Sequence, residues 1–381
     1  MKVLLTTPTF PPQNSGLGNA VLRQAQQLSS AGVNVVVATF ATKRSSYRYL
    51  NTRIQVEGFN IAGAESFLLD PLRGDIQAYV DFLKDSSFDS VIMHAWQNWA
   101  TDLVLRHSKD IHAKKYLYSH GLSLNYFSWD RPLRSLLRYA LWRAYWWHLL
   151  SKMKKLNGII FLSNSGDSIR FADLIIAKKN QIPHHVIPNC LAKEAVTLLD
   201  QPAHARAVRH QLISVGSYTW LKGFDFVLQA YARSTLKNKV VIKFFGQEHT
   251  PYTKQLMALT RRLGIQEGFV QFFENVSGQE LLIEYTKSIM LLSGSRTECQ
   301  PLVLLDANAT GTPFVARRTG CIDSMPGGSA VDLISEAVTD LEKVFNDGQY
   351  WQALSDAGRQ AAMGHYHPST TLKKILQLLS T

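Results

Sequence analysis

From end to end, this chain alternates short, continuously apolar, β-branched runs with longer stretches of helical period. In the first half the runs cover residues 3–7, 35–40, 90–95, 116–120, 158–163 and 185–188. In the second half they cover 212–216, 240–245, 269–273, 289–293 and 313–316. A strand with one wetted face alternates polar and apolar residues. Runs that are apolar throughout are buried on both faces, the mark of a parallel sheet covered by helices. Helical stretches such as 19–31, 224–233, 253–263 and 302–310 lie between them. Repeated βα units predict doubly wound α/β sheets, and two series of runs predict two Rossmann-like domains.

The strand signal lapses over roughly twenty residues near Leu191–His210, long for a connection inside one domain. The expected division is therefore 1–193 and 206–362, with a C-terminal helix over 363–381 packing back on the first domain. A chain of 381 residues, 46% hydrophobic, is large enough for two cores. Ligands of open α/β sheets bind at the carboxyl ends of the strands. Two such domains are expected to leave a cleft at those ends, with the chemistry in loops that follow strands.

Other features narrow the class. The apolar start Lys2-Val3-Leu4-Leu5 stops at Thr-Thr-Pro, too short for a signal peptide. The stretch Tyr139 to Leu150, broken by Arg143, falls short of the ~20 residues of a spanning helix. A cytoplasmic protein, soluble or peripheral on the inner face of the plasma membrane, is expected. Cys190, Cys299 and Cys321 are too few for a disulfide framework and have no zinc spacing, so they are expected to be structural thiols. Of the net charge of +12, nine units fall between Arg106 and Lys155, where eleven Lys/Arg face two acids. A localised excess of this kind points to an anionic partner. No nucleic-acid module is visible, so none is expected as a partner.

Three loops carry chemistry. The first, from Pro11 to Asn19, follows the first strand and places Gly16 and Gly18 where a helix starts and its free N–H groups can meet an anion. A plain strand-to-helix turn would also use two glycines, and the third glycine of a dinucleotide fingerprint is missing. The second, Val215 to Phe224, sets Lys222 just before Gly223 at a helix start, two positive features that together suit a diphosphate. A solvated loop lysine is the plainer alternative. The third, Ser293 to Ala307, presents Glu298 and then opens a helix with Pro301 in its first turn. The first-turn amides of that helix lie near Gln300–Val303, with Asp306 about one turn further on. Two carboxyls eight positions apart suit hydroxyls at opposite ends of one elongated ligand, although Glu298 could instead cap the helix.

With these motifs the chain resembles the retaining glycosyltransferase family 4 of the GT-B fold over nearly its whole length. The resemblance rests on the Pro-Pro…Gly16…Gly18 loop, Ile187-Pro188-Asn189, Gly216…Lys222-Gly223, Phe245-Gly246 and Glu298…Asp306-Ala307…Thr310-Gly311-Thr312-Pro313, in the family's order and spacing. It implies that Glu298 contacts hydroxyls of the donor sugar, that Asp306 holds the ribose, and that Lys222 neutralises the diphosphate. Backbone amides of Gln300, Pro301, Leu302 and Val303 would line the donor, with Gly16, Gly18, Ser217, Gly246 and Val276. His120, in Tyr118-Ser119-His120-Gly121, is similar to the family's cleft histidine near the reacting sugar. A lone histidine after a strand is otherwise more often structural.

The pattern is not matched everywhere. Ser217 stands where the family has an arginine, Asp306 is one methylene short of the usual glutamate, and the three cysteines stand where glycine is common. Arg296, Arg317 or Arg318 are the candidates to replace the lost cation, a contact worth about 1.5–3 kcal/mol. No Asp-x-Asp occurs, so the resemblance implies a metal-independent, retaining transfer of a hexose-type sugar from a UDP- or GDP-sugar, with no cofactor.

The acceptor side is read from Trp129-Asp130-Arg131-Pro132 and one helix-like stretch from Leu133 to Leu156. There Arg131, Arg134 and Arg138 share one side, the leucines another, and Trp142, Trp146 and Trp147 cluster beyond. A basic amphipathic stretch with aromatics suits an anionic membrane surface, and with it a lipid-linked or lipopolysaccharide/polysaccharide acceptor in cell-surface glycan synthesis. A core helix with a solvated basic face remains open. So does a catalytically weak sugar-nucleotide-binding subunit of the same fold, or a GT-B relative that epimerises or uses a sugar phosphate.

Overall fold

The computed structural model describes the chain apart from residues 14, 51, 65–69, 85–86, 123–126, 128–131, 202–205 and 381. It divides into two compact units, Met1–Asn189 with Thr371–Thr381, and Cys190–Thr370.

The first unit opens with β1 (Lys2–Thr6), α1 (Gly16–Ser30), β2 (Asn34–Phe40), β3 (Ser45–Arg48) and β4 (Gln55–Phe59). A small antiparallel pair, β5 (Ile61–Ala62) and β6 (Arg73–Gly74), precedes α2 (Ile76–Lys84), β7 (Ser90–His94), α3 (Trp99–Arg106) and β8 (Lys114–Ser119). Then come α4 (Pro132–Leu141), α5 (Arg143–Met153), β9 (Gly158–Phe161), α6 (Ala172–Lys179) and β10 (His184–Val186). The main sheet runs β10-β9-β8-β7-β1-β2-β4-β3, parallel except for the edge strand β3. Strand order reverses between β1 and β7, the switch point of this sheet.

Each apolar run of the first half is a strand here. The sequence reading missed β3 and β4, and chemistry explains why. Glu57 is buried in β4, and its carboxylate is satisfied by Arg44 at 2.8 Å and by Ser46 and Gln55. Pairing makes the burial of such a charge tolerable, and hydropathy does not register pairing. The single helix expected over 133–156 is two, interrupted at Trp142. In α5, Tyr145, Leu149, Lys152 and Met153 are buried, and Lys152 and the Tyr145 hydroxyl both reach buried Asp102 at 2.9 Å. In α4, only Ser135 is buried.

The second unit comprises α7 (Lys193–Leu199), β11 (Gln211–Val215), α8 (Phe224–Arg233), β12 (Val241–Gly246), α9 (Pro251–Arg262), β13 (Val270–Glu274), α10 (Gly278–Thr286) and β14 (Ser288–Ser293). It continues through α11 (Leu302–Ala309), β15 (Phe314–Arg317), β16 (Gly328–Val331), α12 (Ile334–Asn346) and α13 (Gly348–Gly364). Its sheet runs β13-β12-β11-β14-β15-β16, all parallel. Counted from β11 that is the 3-2-1-4-5-6 order of dinucleotide-binding sheets, with its switch point between β11 and β14. The core packs Leu212, Ile242, Phe244, Met290 and Leu292 of the sheet against Phe224, Leu228, Tyr231, Leu341 and Trp351. Beneath it, buried Arg209 donates to the carbonyls of Tyr285, Ser288 and Thr310 and to Thr312 Oγ1, over the Trp351 ring. Burial lowers its pKa to about 10, so it stays charged at neutral pH and binds four segments together.

The last helix, α14 (Pro368–Ser380), returns the chain to the first unit. Gln27 Nε2 donates to Thr371 Oγ1 at 3.1 Å, and the Tyr116 hydroxyl to the Leu378 carbonyl at 3.3 Å. Among the described residues no helix is long and apolar enough to cross a membrane. The three cysteines are buried, and none of them is joined to another by a disulfide.

Candidate active site

In the second unit, the loops after β11 and β14 leave the sheet side by side at its switch point. Residues Trp220–Lys222 form a 3-10 turn, closed by Gly223 in the left-handed region at φ 61°. Gly294 lies against it so closely that a Cβ on Gly223 would fall 1.8 Å from the Gly294 carbonyl oxygen, and one on Gly294 2.1 Å from that of Gly223. No side chain fits between the two backbones, which is why glycine stands at both positions.

Two ionic rungs cross the gap those glycines close. Lys222 Nζ donates to Glu298 Oε1 at 2.6 Å, with the lysine 32% and the glutamate 15% exposed. Arg296 forks onto Asp225, in the first turn of α8, at 2.9 and 2.7 Å, and its Nη1 also reaches the Trp220 carbonyl at 2.6 Å. The guanidinium lies 4.3 Å above the Trp220 ring. The Tyr252 hydroxyl adds a 2.6 Å bond to Asp225. Burial alone would raise the Asp225 pKa, but the Arg296 fork and the tyrosine outweigh it and hold it below the ordinary value. The Arg296 rung fixes the shape of the 3-10 turn; the other joins the lysine and the glutamate that the sequence singles out.

Beside them α11 begins. Pro301 is its N-cap and supplies no side-chain cap, and the first-turn amides of Leu302 and Val303 find no acceptor among the described residues. A cation and an uncapped helix N-terminus at one switch point are groups that favour an anion. The Glu298 carboxylate adds an acceptor for hydroxyls, and Glu298 N bonds Thr319 Oγ1 at 3.2 Å. Glu298 is therefore engaged with Lys222 rather than capping α11.

The first unit offers its own switch point. Ser15 caps α1, accepting from Gly18 N at 2.9 Å. A Cβ on Gly18 would meet the Thr9 carbonyl and Ser15 Oγ at about 3 Å, whereas nothing lies within 4 Å of one on Gly16. On the other side of the switch, His94 ends β7 and contacts His120, just after β8, at 3.1 Å.

Comparison with known proteins bears on the fold. Residues 201–325 match the family model described as Glycosyl transferases group 1. The chain is 29% identical to an MMP alpha-(1->4)-mannosyltransferase of Mycolicibacterium hassiacum over 176 residues, 44% of this chain and 42% of that protein. It thus spans less than half the length of the curated relatives it matches. Among solved structures, sucrose-phosphate synthase from Thermosynechococcus elongatus superposes with a TM-score of 0.75 at 13% identity, over 99% of this chain and 98% of that one. The Anabaena HepE protein in complex with UDP-glucose superposes at 0.70 and 16% identity, over 100% and 99%. The fold is GT-B.

Within this GT-B chain the predicted residues fall into groups. Lys222, Glu298, Pro301, Leu302 and Val303 converge, with Gln300 buried beside them and Asp306 half-buried on α11. Ser217 is half-buried after β11 and touches Thr219 Oγ1 at 3.5 Å. Val276 is half-buried before α10. Gly246 has a structural reason to be glycine, because a Cβ there would strike the Tyr218 ring at 2.4 Å. Tyr218 is buried, its hydroxyl 2.9 and 2.8 Å from the carbonyls of Phe244 and Phe273. Of the three arginines that could replace the missing one, Arg296 is committed to Asp225, and Arg318 to Asp323 and Asp332. Arg317, at the carboxyl end of β15, lies 5.5 Å from the Phe226 ring and has no carboxylate partner among the described residues.

On the acceptor side Trp129 and Arg131 lie outside the described residues. Trp142 and Trp146 are half-buried, and Trp147, at 69%, is the exposed tryptophan instead. Arg134 is exposed and Arg138 half-buried on α4. Sequence reasoning missed Asp225, Trp220, Tyr252 and His94. Only Asp225 left a trace, as an acid in a helix first turn where the dipole favours it.

Proposed function

We propose that this protein is a retaining, metal-independent glycosyltransferase of family 4 that moves a hexose-type sugar from a UDP- or GDP-sugar to an acceptor hydroxyl. The observation that carries this reading is the meeting of Lys222, Glu298 and the uncapped start of α11 at the switch point between β11 and β14. As the sugar C1–oxygen bond breaks, the nucleoside diphosphate leaves with the electron pair. Lys222 and the Leu302 and Val303 amides stabilise that growing charge, an electrostatic contribution that is usually the largest in such a site. Glu298 holds the sugar hydroxyls, Asp306 the ribose, and Arg317 supplies the cation that Ser217 cannot. The acceptor oxygen bonds C1 on the face the diphosphate leaves, and its proton passes to the departing phosphate oxygen. His120 serves as the histidine near the reacting sugar. Naming of the Mycolicibacterium relative as a mannosyltransferase and the UDP-glucose of the Anabaena structure support a nucleotide-sugar donor.

The acceptor is proposed to be lipid-linked or a lipopolysaccharide or polysaccharide, met at an anionic membrane surface from the cytoplasmic side. Support comes from α4, where Leu133, Leu136 and Leu137 are 83%, 60% and 57% exposed on one face, interleaved with Arg134 and Arg138. Apolar side chains turned to water beside cations match a lipid interface.

Thermal shift with UDP, GDP and their sugars tests the donor site, since a ligand raises stability by mass action. A rise with one nucleotide family and release of its diphosphate in the presence of acceptor are expected. No shift with any nucleoside diphosphate would end the reading. Binding without transfer or donor hydrolysis would favour the second reading, a catalytically weak sugar-nucleotide-binding subunit, which the serine at 217 motivates.

A further inference from the structure

The first unit carries a buried titratable group that the proposed chemistry does not use. His94, the last residue of β7, is 1% exposed. Parallel pairing of β7 with β8 sets it opposite Tyr118, and its Nδ1 lies 3.1 Å from Nε2 of His120. The Tyr118 ring lies against both imidazoles, each with centroids 5.5 Å apart, and its hydroxyl is anchored to the carbonyls of Ile187 and Pro188. From the loop before α6, Arg170 Nη2 donates to the His120 carbonyl at 2.9 Å. His120 is thus held at its ring and its backbone. With Nε2 engaged, only Nδ1 remains, and it has no partner among the described residues and is not sealed from solvent.

The same surroundings decide the charge. The groups facing the pair are the Arg170 cation and the Tyr118 phenol. The nearby Asp173 carboxylate is taken by Ser119 Oγ at 2.5 Å and Trp96 Nε1 at 2.8 Å. A proton added to the pair would put charge in a buried site beside Arg170. With His120 as the donor in their shared bond, it would also force the His94 proton onto Nε2, which has no partner among the described residues.

We infer that His94 is a positioning residue for His120, holding its ring with Nδ1 free and keeping it neutral, so that the first unit offers a sugar hydroxyl an uncharged hydrogen-bonding imidazole. This rests on the reading of His120 as a substrate-facing residue. Burial, to which the His94 ring packed against His120 contributes, and after it the charge of Arg170, lowers the His120 pKa to about 3.

The test is a titration of the full chain, labelled with ¹⁵N-histidine, between pH 8 and 5 for wild type, His94→Asn and His94→Ala. Asn keeps a hydrogen-bonding group near the place of Nδ1; Ala removes it. His120 should stay untitrated in wild type and His94→Asn, and titrate in His94→Ala within about one unit of the usual 6.5. His94→Ala should also lose at least about threefold more transfer activity at pH 6 than at pH 8, with His94→Asn restoring the profile. Identical His120 titration in wild type and His94→Ala would overturn the proposal. Should His94→Ala not fold, the wild type decides, because His120 titrating near its usual value refutes the inference by itself. If His120→Ala transfers sugar as well as wild type while the titrations behave as expected, the substrate role of His120 fails and the inference that rests on it falls, leaving only the electrostatic pairing.

Discussion

The guanidinium of Arg296 grips both carboxylate oxygens of Asp225 and, with the same Nη1, the carbonyl of Trp220. One side chain on the β14 loop thereby sets the conformation of the β11 loop two residues before Lys222. Arg296→Lys keeps the charge and loses the fork. It should cost about 1–3 kcal/mol of stability, below the 3–5 of a fully buried pair because Asp225 is about a quarter exposed. It should also lower turnover by loosening Lys222. Urea unfolding beside steady-state kinetics measures both, and an Asp225→Asn, Arg296→Lys double-mutant cycle should show strong coupling.

Lys222 and Glu298 neutralise each other at 2.6 Å, so a donor must share that cation. Lys222→Ala and Glu298→Ala are each expected to cut turnover at least tenfold, about 1.4 kcal/mol or more. Their melting points should move little, since partly exposed pairs contribute about 1 kcal/mol or less. Arg317→Ala should slow transfer and Arg318→Ala should not, a contrast read directly from single-substitution kinetics.

Gly223→Ala and Gly294→Ala should both be poorly tolerated, through backbone contact. Each added methyl would sit about 2 Å from the other residue's carbonyl oxygen, and at Gly223 the left-handed φ adds strain. A loss of at least about 2 kcal/mol in chemical denaturation is expected, whereas Gly278→Ala, with nothing within 4 Å, should be nearly neutral.

The paired histidines make the fold acid-sensitive. Burial lowers both His94 and His120, so the unfolded chain binds protons there that the native state refuses. Their contribution is therefore intact above about pH 6.5 and lost progressively as pH falls below it. Denaturant midpoints at pH 7.5, 6 and 5 measure it, and His120→Asn should flatten the curve.

Much of this was written in the chain itself. Apolar, β-branched runs that never alternate demand burial on both faces, a local property that composition over five or six residues settles. The βα repeat, the helix starts at Lys222-Gly223 and Pro301, and the glycine beside each loop are likewise short-range requirements. Strands β4 and β16 were invisible, the one because its buried Glu57 depends on Arg44 for tolerance, the other because Gly-Ser-Ala-Val has little hydropathy. The break between α4 and α5 also escaped, since Asp102, which anchors α5, lies forty residues upstream.

What only tertiary structure decided is which polar groups meet. Asp225 with Arg296, Lys222 with Glu298 and His94 with His120 are 71, 76 and 26 residues apart, joined because adjacent parallel strands bring their carboxyl ends together. The sequence by itself determined the kinds of strand and helix and the loops between them, because those follow from each residue's neighbours along the chain. Strand order determined the pairs, because an electrostatic partner acts through a few ångströms of space whatever its distance in sequence.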